Sequence, residues 1–199
     1  MIPANAFCAA LSFVSHAQAV KDVRFYLLGT YLEFTGNDCL HIVATDGHRM
    51  AVVELKAPHG FASNKTRFIV PSDAVAKILS LHKKTPGALR FSAGDKGALV
   101  VEADSGSASF AVIDGTFPDW RRVLPAGEPT AGPGHWNPAY VADVAKAAAA
   151  LQKGVAYPGV KVSEFVDPHI GSGKLEVAVV RTVYPEIVSA RGWVMGLRP

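Results

Sequence analysis

Ile2-Pro3-Ala4-Asn5-Ala6-Phe7 is the first of three similar stretches, and the others are Val70-Pro71-Ser72-Asp73-Ala74-Val75 and Trp136-Asn137-Pro138-Ala139-Tyr140-Val141. Their prolines stand 68 and 67 residues apart, and each stretch leads into an amphipathic, alanine-containing segment. Proline is favoured at the start of a helix because its missing N–H would be unpaired there anyway. The pattern predicts three helices, over about residues 3–19, 72–84 and 138–152.

Segments with strand-like sequence follow each helix, separated by turns such as Asp46-Gly47 and Gly94-Asp95-Lys96-Gly97. One helix with several strands is therefore the repeating unit. Three copies predict an α+β protein in which the sheets bury one face under the helices. The predicted strands cover residues 24–29, 39–44, 50–55, 88–92, 97–103, 107–113, 160–166, 174–181 and 186–195.

The odd number of units predicts an incomplete second domain. If two units pair to form one domain, residues 1–125 form a complete domain and residues 135–199 form half of one. Residues 126–134 between them are rich in Gly and Pro, as linkers are. We expect the half-domain to expose a sheet edge or a helix flank, and an exposed edge invites pairing with another chain.

Composition is typical of a globular protein with a substantial core, since 49% of the 199 residues are hydrophobic and 19% are charged. No apolar run approaches the roughly 20 residues of a membrane helix, and no signal peptide is recognisable, so we expect a cytoplasmic protein without membrane partners. The net charge of +3 permits nucleic acid nearby without requiring tight binding. Only Cys8 and Cys39 are present, which predicts neither disulfides nor a metal site, and no cofactor.

Asp46, His48 and Asp119 are the residues that invite an acid/base or metal interpretation. Asp-Gly between apolar strands is more typical of a hairpin turn, and no H-E-x-x-H or clustered carboxylates accompany His48. We therefore predict no catalytic residues, and an enzyme is the weakest alternative. The segment 117–122, Phe-Pro-Asp-Trp-Arg-Arg, has two interpretations: nucleic-acid binding through arginine and an aromatic ring, or a turn whose rings anchor the chain to the core.

Two spaced motifs carry a resemblance to a known family. Ala44-Thr45-Asp46-Gly47-His48-Arg49-Met50, followed about seventy residues later by the segment 114–125, resembles the second of three domains in the bacterial DNA polymerase III β subunit, the sliding clamp. Residues 137–144 and 193–199 are similar to the second half of its third domain. The first domain and the first half of the third have no counterpart. The resemblance implies a DNA-clamp fold of about one and a half domains, in a shortened, phage or mobile-element type of clamp.

Members of this family are not enzymes: they form rings around duplex DNA without sequence specificity and act as polymerase processivity factors. A pocket in each receives short peptides with a Gln and bulky apolar residues, from DNA polymerases, clamp loaders and repair proteins. This chain has Gly196 where relatives usually have proline, and Trp193 is bulkier than the usual aliphatic residue. The positions that match the peptide pocket are Leu27, Thr45, Gly47, His48, Arg49, Met50, Pro118, Arg122, Val123, Val194, Met195, Gly196 and Leu197.

The resemblance also implies DNA contacts from the helices that line the ring and from a segment near residue 24. Ser72 and Asp73 stand where many relatives have basic residues. The expected DNA-contacting residues are Lys21, Arg24, Phe25, Tyr26, Lys77, Lys83, Lys84, Lys146 and Lys153.

The family's ring has twelve helix-plus-strands units, so three units per chain favour a homo-tetramer, with a dimer as the other possibility. The main alternative is a clamp-derived peptide-binding protein that never encircles DNA and modulates a host replisome.

Overall fold

The computed structural model describes residues 1–35, 38–58, 61, 66–125, 127–130, 135–166 and 173–196. Within these residues it contains three α-helices, each at a predicted position and each shorter than predicted. Asn137 caps the third helix, since its side-chain oxygen accepts the N–H of Ala139 at 3.0 Å. The helices are α1 (Ala4–Val14), α2 (Ser72–His82) and α3 (Pro138–Leu151).

Eleven strands lie in the same described residues and, with the helices, confirm the α+β prediction. They are β1 (Ile2–Pro3), β2 (Gly29–Thr35), β3 (Cys39–Thr45), β4 (Arg49–Lys56), β5 (Arg67–Pro71), β6 (Ala88–Ala93), β7 (Leu99–Ala103), β8 (Gly106–Phe110), β9 (Val160–Val166), β10 (Gly173–Val179) and β11 (Ile187–Met195).

One predicted strand is wrong. Of the predicted residues 24–29 only Gly29 lies in a strand, because Phe25–Leu27 is a 3-10 helix in which the Leu27 N–H donates to the Arg24 carbonyl at 2.8 Å. Asp22 starts this turn by accepting the Arg24 N–H at 2.7 Å. The real strand, β2, begins at Gly29 and was missed. Its first six residues are buried, so it lacks the polar alternation by which half-exposed strands are recognised.

The strands form two antiparallel sheets, with orders β1-β6-β7-β8 and β5-β2-β3-β4-β11-β10-β9. The first two units exchange strands: β1, before α1, pairs with β6, while β5, before α2, pairs with β2. The third unit joins the first edge to edge, because β11 pairs with β4 from Ile187↔Leu55 to Val194↔Arg49. The seven-stranded sheet therefore runs continuously from the first unit into the third.

The seven-stranded sheet is apolar on both faces. Its inner face, with Ile42 and Val53, packs against the helices and the smaller sheet in one large core. Its outer face carries a second buried cluster that includes Val43, Val52 and Trp193. Helix α1 contacts both α2 and α3, so the three helices lie side by side. None of the described helices is long and apolar enough to cross a membrane.

Candidate functional site

The Asp46-Gly47 turn that joins β3 to β4 is held by its own side chains. The Asp46 carboxylate accepts the N–H groups of His48 and Arg49 at 2.8 and 2.9 Å, and the Thr45 hydroxyl donates to the Arg49 carbonyl at 2.7 Å. Gly47 has φ +89°, and a Cβ there would lie 2.9 Å from an Arg24 nitrogen. The hairpin interpretation is confirmed, and Asp46 acts as a turn residue.

Two arginines beside this turn form salt bridges with aspartates. Arg49 pairs with Asp46 at 3.0 Å and with Asp143 of α3 at 2.5 Å, and its guanidinium lies 4.5 Å from the centre of the Tyr140 ring. Arg49 thus links the first unit to helix α3 of the third unit through a salt bridge. Arg24 pairs with Asp22 at 2.6 Å, and its hydrogen bonds to that carboxylate lower the pKa of Asp22 to about 2.

The second motif lies across the outer face of the large sheet. Phe117 stacks on Tyr31 with ring centres 4.6 Å apart, and Trp120, only 7% exposed, begins a 3-10 helix (Trp120–Val123). Arg121 lies over the Trp120 ring at 4.2 Å and pairs with the buried Glu33 at 2.8 Å. The rings anchor the chain to the sheet, as the second interpretation of this motif predicts.

A cavity of about 270 Å³ separates the two motifs, and we call it the groove. The strand β11 closes one side with Trp193 and Met195, while Leu27 and Met50 supply further apolar surface. The groove is lined by Arg24, Leu27, Thr45, Gly47, Arg49, Met50, Phe117, Pro118, Asp119, Trp120, Val123, Trp193 and Met195.

Eight positions expected in a peptide pocket lie together in this lining: Leu27, Thr45, Gly47, Arg49, Met50, Pro118, Val123 and Met195. Four other expected positions are described and do not line the groove, and Val194 is the clearest correction. Its side chain belongs to the core on the inner face of the sheet, because neighbouring residues of a strand point to opposite faces. Trp193 and Met195 occupy the wall in its place.

Three further expected positions do not line the groove. The exposed His48 ring lies 6.4 Å from the Tyr140 ring, and the Arg122 side chain, 85% exposed, pairs with Asp119 at 3.2 Å. Gly196 forms a bridge with Trp136, where a Cβ would lie 2.9 Å from the Gly173 nitrogen, so backbone packing favours glycine there. Leu197 lies outside the described residues.

A family model for the DNA polymerase III beta subunit, central domain, matches residues 1–119. The chain belongs to the DNA polymerase III beta subunit family. This match covers both motifs of the groove up to Asp119 and agrees with the prediction that the chain is not an enzyme.

Curated proteins similar to this chain include beta sliding clamps. The clamp of Pseudomonas putida is 36% identical over 115 residues, which are 57% of this chain and 30% of that clamp. The Escherichia coli K12 clamp is 36% identical over 111 residues, 55% of this chain and 29% of the clamp. The chain therefore matches about a third of the length of these relatives.

Solved structures extend the likeness of fold to the whole chain. A crystal structure of the Pseudomonas aeruginosa DNA polymerase sliding clamp with ligand superposes with a TM-score of 0.72 at 20% identity, covering 100% of this chain and 65% of that one. The Caulobacter crescentus pol III beta gives 0.61 at 22% identity, with 100% and 66% coverage.

Five of the lysines expected at DNA are exposed and lie on, or just after, the two outer helices. Lys77 is on α2 and Lys146 on α3, while Lys83, Lys84 and Lys153 follow the ends of those helices. The central α1 carries no Lys or Arg.

The other expected DNA contacts surround the 3-10 helix at residues 25–27. Lys21, Arg24 and Phe25 are exposed, and Tyr26 is half-buried. Because Arg24 is held by Asp22 and lines the groove, its positive charge is less available to a phosphate than that of Lys21. The DNA roles of all nine residues stay predictions.

The sequence reasoning missed Phe117, Trp120 and Trp193 as groove residues, considered Asp119 only as an acid/base or metal candidate, and assigned Arg24 only to DNA. One signal was available for Trp193. Once Met195 is placed in the wall, the two-residue period of a strand puts position 193 there as well. Phe117 and Trp120 could not be oriented in this way, because they lie in irregular chain and a 3-10 turn.

Proposed function

We propose that this chain is a sliding clamp whose groove binds short peptides from DNA polymerases and other replication proteins. The observation that carries the proposal is the groove itself. In a chain of the beta subunit family, the two motifs, 44–50 and 114–125, meet across the sheet and leave an apolar cavity open to solvent between them. Concave, mostly apolar sites with a few polar groups at the rim are the ones that capture ligands.

Burial of apolar side chains would supply the affinity. Leu27, Met50, Val123, Trp193 and Met195 offer apolar contacts, and covering one leucine-sized anchor contributes roughly 1.5–3 kcal/mol. Two such anchors and a few rim hydrogen bonds, less the cost of ordering a peptide, correspond to binding in about the micromolar range. Asp119, whose side chain is 55% exposed, is a polar group of the lining that would accept N–H groups of the peptide backbone.

Peptide titration tests the groove directly. A labelled peptide with one Gln and two bulky apolar residues is expected to bind the wild-type chain saturably. Met195 lines the groove and is 39% exposed, so Met195→Asp adds a charge to the wall without burying it in the core, and we expect at least about a tenfold weaker affinity. Val188→Asp on the same strand, 53% exposed and outside the groove lining, is the matched control. Equal affinities for both variants would contradict the assignment.

We further propose that copies of the chain close into a ring around duplex DNA, with four copies supplying twelve units. The sheet order supports further edge-to-edge joining. The third strands of the first and third units, β4 and β11, already pair, while β8, the third strand of the second unit, ends its sheet. A second copy could pair with β8 by the same rule.

The half-domain offers the second edge at which such a ring could join neighbouring copies. Strand β9 ends the large sheet and exposes Val160 and Val162, although the Thr130 N–H donates to the Glu164 carbonyl and covers part of that edge. The exposed Lys77 and Lys146, on helices that pack beside α1, would face DNA inside the ring. Such contacts need only be weak, because a closed ring is held on DNA by topology.

Retention on DNA separates a ring from a peptide-binding protein that does not encircle DNA. The chain is loaded on a nicked circular plasmid, with a cognate loader extract, and passed through a sizing column before and after linearisation. A sliding ring stays with the circle and is lost from the linear form. Peptide binding without topology-dependent retention would support the alternative, a clamp-derived protein that occupies replisome peptides.

A further inference from the structure

We propose that Cys39, His41 and Glu54 form a binding site for a divalent transition-metal ion such as Zn²⁺. The three residues lie on the outer face of the large sheet, beside the groove and separate from it. One potential ligand atom from each residue lies within 4.8 Å of the others. The proposal is independent of the peptide and DNA functions.

Strand register brings the three side chains together. Cys39 and His41 are two residues apart on β3, so they point to the same face, and His41 pairs directly with Glu54 on β4. The Cys39 sulfur and a Glu54 oxygen are 3.6 Å apart. Ligand atoms at the corners of a tetrahedral zinc site, 2.0–2.3 Å from the metal, are separated by about 3.3–3.8 Å. Small rotations of the His41 side chain would bring the three ligand atoms to that geometry.

The His41 imidazole and the Glu54 carboxylate have few competing partners in the described part of the chain, whereas the Cys39 thiol also interacts with Thr35 and the Leu55 backbone. The buried Nδ1 of His41 has no hydrogen-bond partner in that part of the chain, and the hydrogen bond that the weakly donating Cys39 thiol makes to Glu54 is long, at 3.6 Å. Nearby Arg121 and Arg191 pair with other carboxylates, those of Glu33 and Glu176. A metal ion would therefore give the buried His41 nitrogen a partner and would give the Glu54 carboxylate a stronger one than the thiol.

A cavity next to the site has room for the remaining ligand. It measures about 180 Å³ and is lined by His41 and Glu54 together with Ser189 and Arg191. A thiolate, an imidazole and a carboxylate leave one position of a tetrahedral ion open, which a water from this cavity would fill. Binding exchanges the thiol proton for the metal: the S–H proton passes to solvent and an S–metal bond forms, with no change in oxidation state.

The site has neighbours whose charges act on it. Burial and the Glu54 carboxylate raise the pKa of the Cys39 thiol to about 11, while burial, and then the nearby Arg121, lower the pKa of His41. A neutral imidazole is the metal-binding form, but the thiol must lose its proton, so affinity rises with pH. The exposed Lys56, paired in register with Cys39, adds a positive charge that opposes the ion.

Cobalt titration of the full chain tests the site. Co²⁺ added to the reduced protein is expected to give thiolate-to-cobalt absorption in the near ultraviolet, and Zn²⁺ is expected to bleach it. Cys39→Ser should abolish this band, and the isosteric Glu54→Gln should weaken cobalt binding by about tenfold or more. Cys8→Ala is the matched control, because Cys8 is buried in α1 and should leave the band unchanged.

A second readout in the unaltered protein guards against variants that fail to fold. Zn²⁺ should raise the thermal unfolding midpoint of the wild-type chain in proportion to the logarithm of its concentration above the dissociation constant. The proposal is overturned if the wild type gives no thiolate–cobalt band at millimolar Co²⁺, if Cys39→Ser keeps the band, or if Zn²⁺ leaves the midpoint unchanged.

Discussion

Replacing Trp120 by alanine should destabilise the fold and weaken peptide binding together. The indole is 7% exposed, packs 5.4 Å from the His41 ring and carries the Arg121 guanidinium 4.2 Å above it. Removal of a buried aromatic ring costs about 3–5 kcal/mol. We expect the lower end, about 3 kcal/mol, because the ring borders two open cavities that water can enter and its buried N–H has no partner among the described residues.

For a chain of this size, about 3 kcal/mol corresponds to a midpoint about 6–12 °C lower. Calorimetry of Trp120→Ala measures the shift, and titration with the labelled peptide measures the loss of one groove wall. Tyr157→Ala, whose side chain is 80% exposed, is the matched control and should change stability by less than about 0.5 kcal/mol. If both variants melt alike, or if Trp120→Ala binds the peptide as tightly as the wild type, the described packing of this motif is incorrect.

Three further outcomes follow from local geometry. Gly47→Ala should lower the unfolding free energy in urea by about 1–3 kcal/mol, more than Gly127→Ala. Both glycines have positive φ, but Gly47 has the Arg24 side chain against its Cβ position whereas Gly127 has no described neighbour there, and equal losses would contradict this. Arg49→Gln should lower the free energy of unfolding by about 2–3 kcal/mol in the same assay, because the Arg49 side chain, 13% exposed, would lose its contacts with two carboxylates. An unchanged urea midpoint would show that these contacts are not formed. Burial lowers the pKa of His82, so the unfolded chain binds the proton more readily than the folded chain does. The stability of the fold therefore falls as the pH drops below about 6.5. His82→Gln should make stability depend less steeply on pH in acid titrations followed by circular dichroism.

Local signals made the repeat and the first motif predictable. Proline-led helix starts and the Asp46-Gly47 turn depend on residues close in the chain, and the structure has the helices and the hairpin where the sequence predicts them. Strand β2 was missed because its burial on both faces removes the alternation that identifies a strand. The segment before it was mistaken for a strand because its apolar run forms a 3-10 turn fixed by Asp22.

The walls of the groove were only partly predictable because they depend on strand register and on contacts distant in sequence. Motif matching located Met50, Pro118 and Val123 in the lining. It could not decide between Trp193 and Val194, since a shift of one residue exchanges the two faces of a strand. The cross-strand approach of His41 to Glu54 likewise depends on pairing that no spacing motif records.

The mass of the particle that the chain forms in solution tests the ring most directly. Light scattering coupled to size exclusion, at micromolar concentration and with 21.0 kDa as the chain mass, distinguishes the possible assemblies. Our account predicts a particle of about four chain masses, twelve units closed by the β8 and β9 edges. A stable particle of one chain mass across that concentration range would contradict the ring.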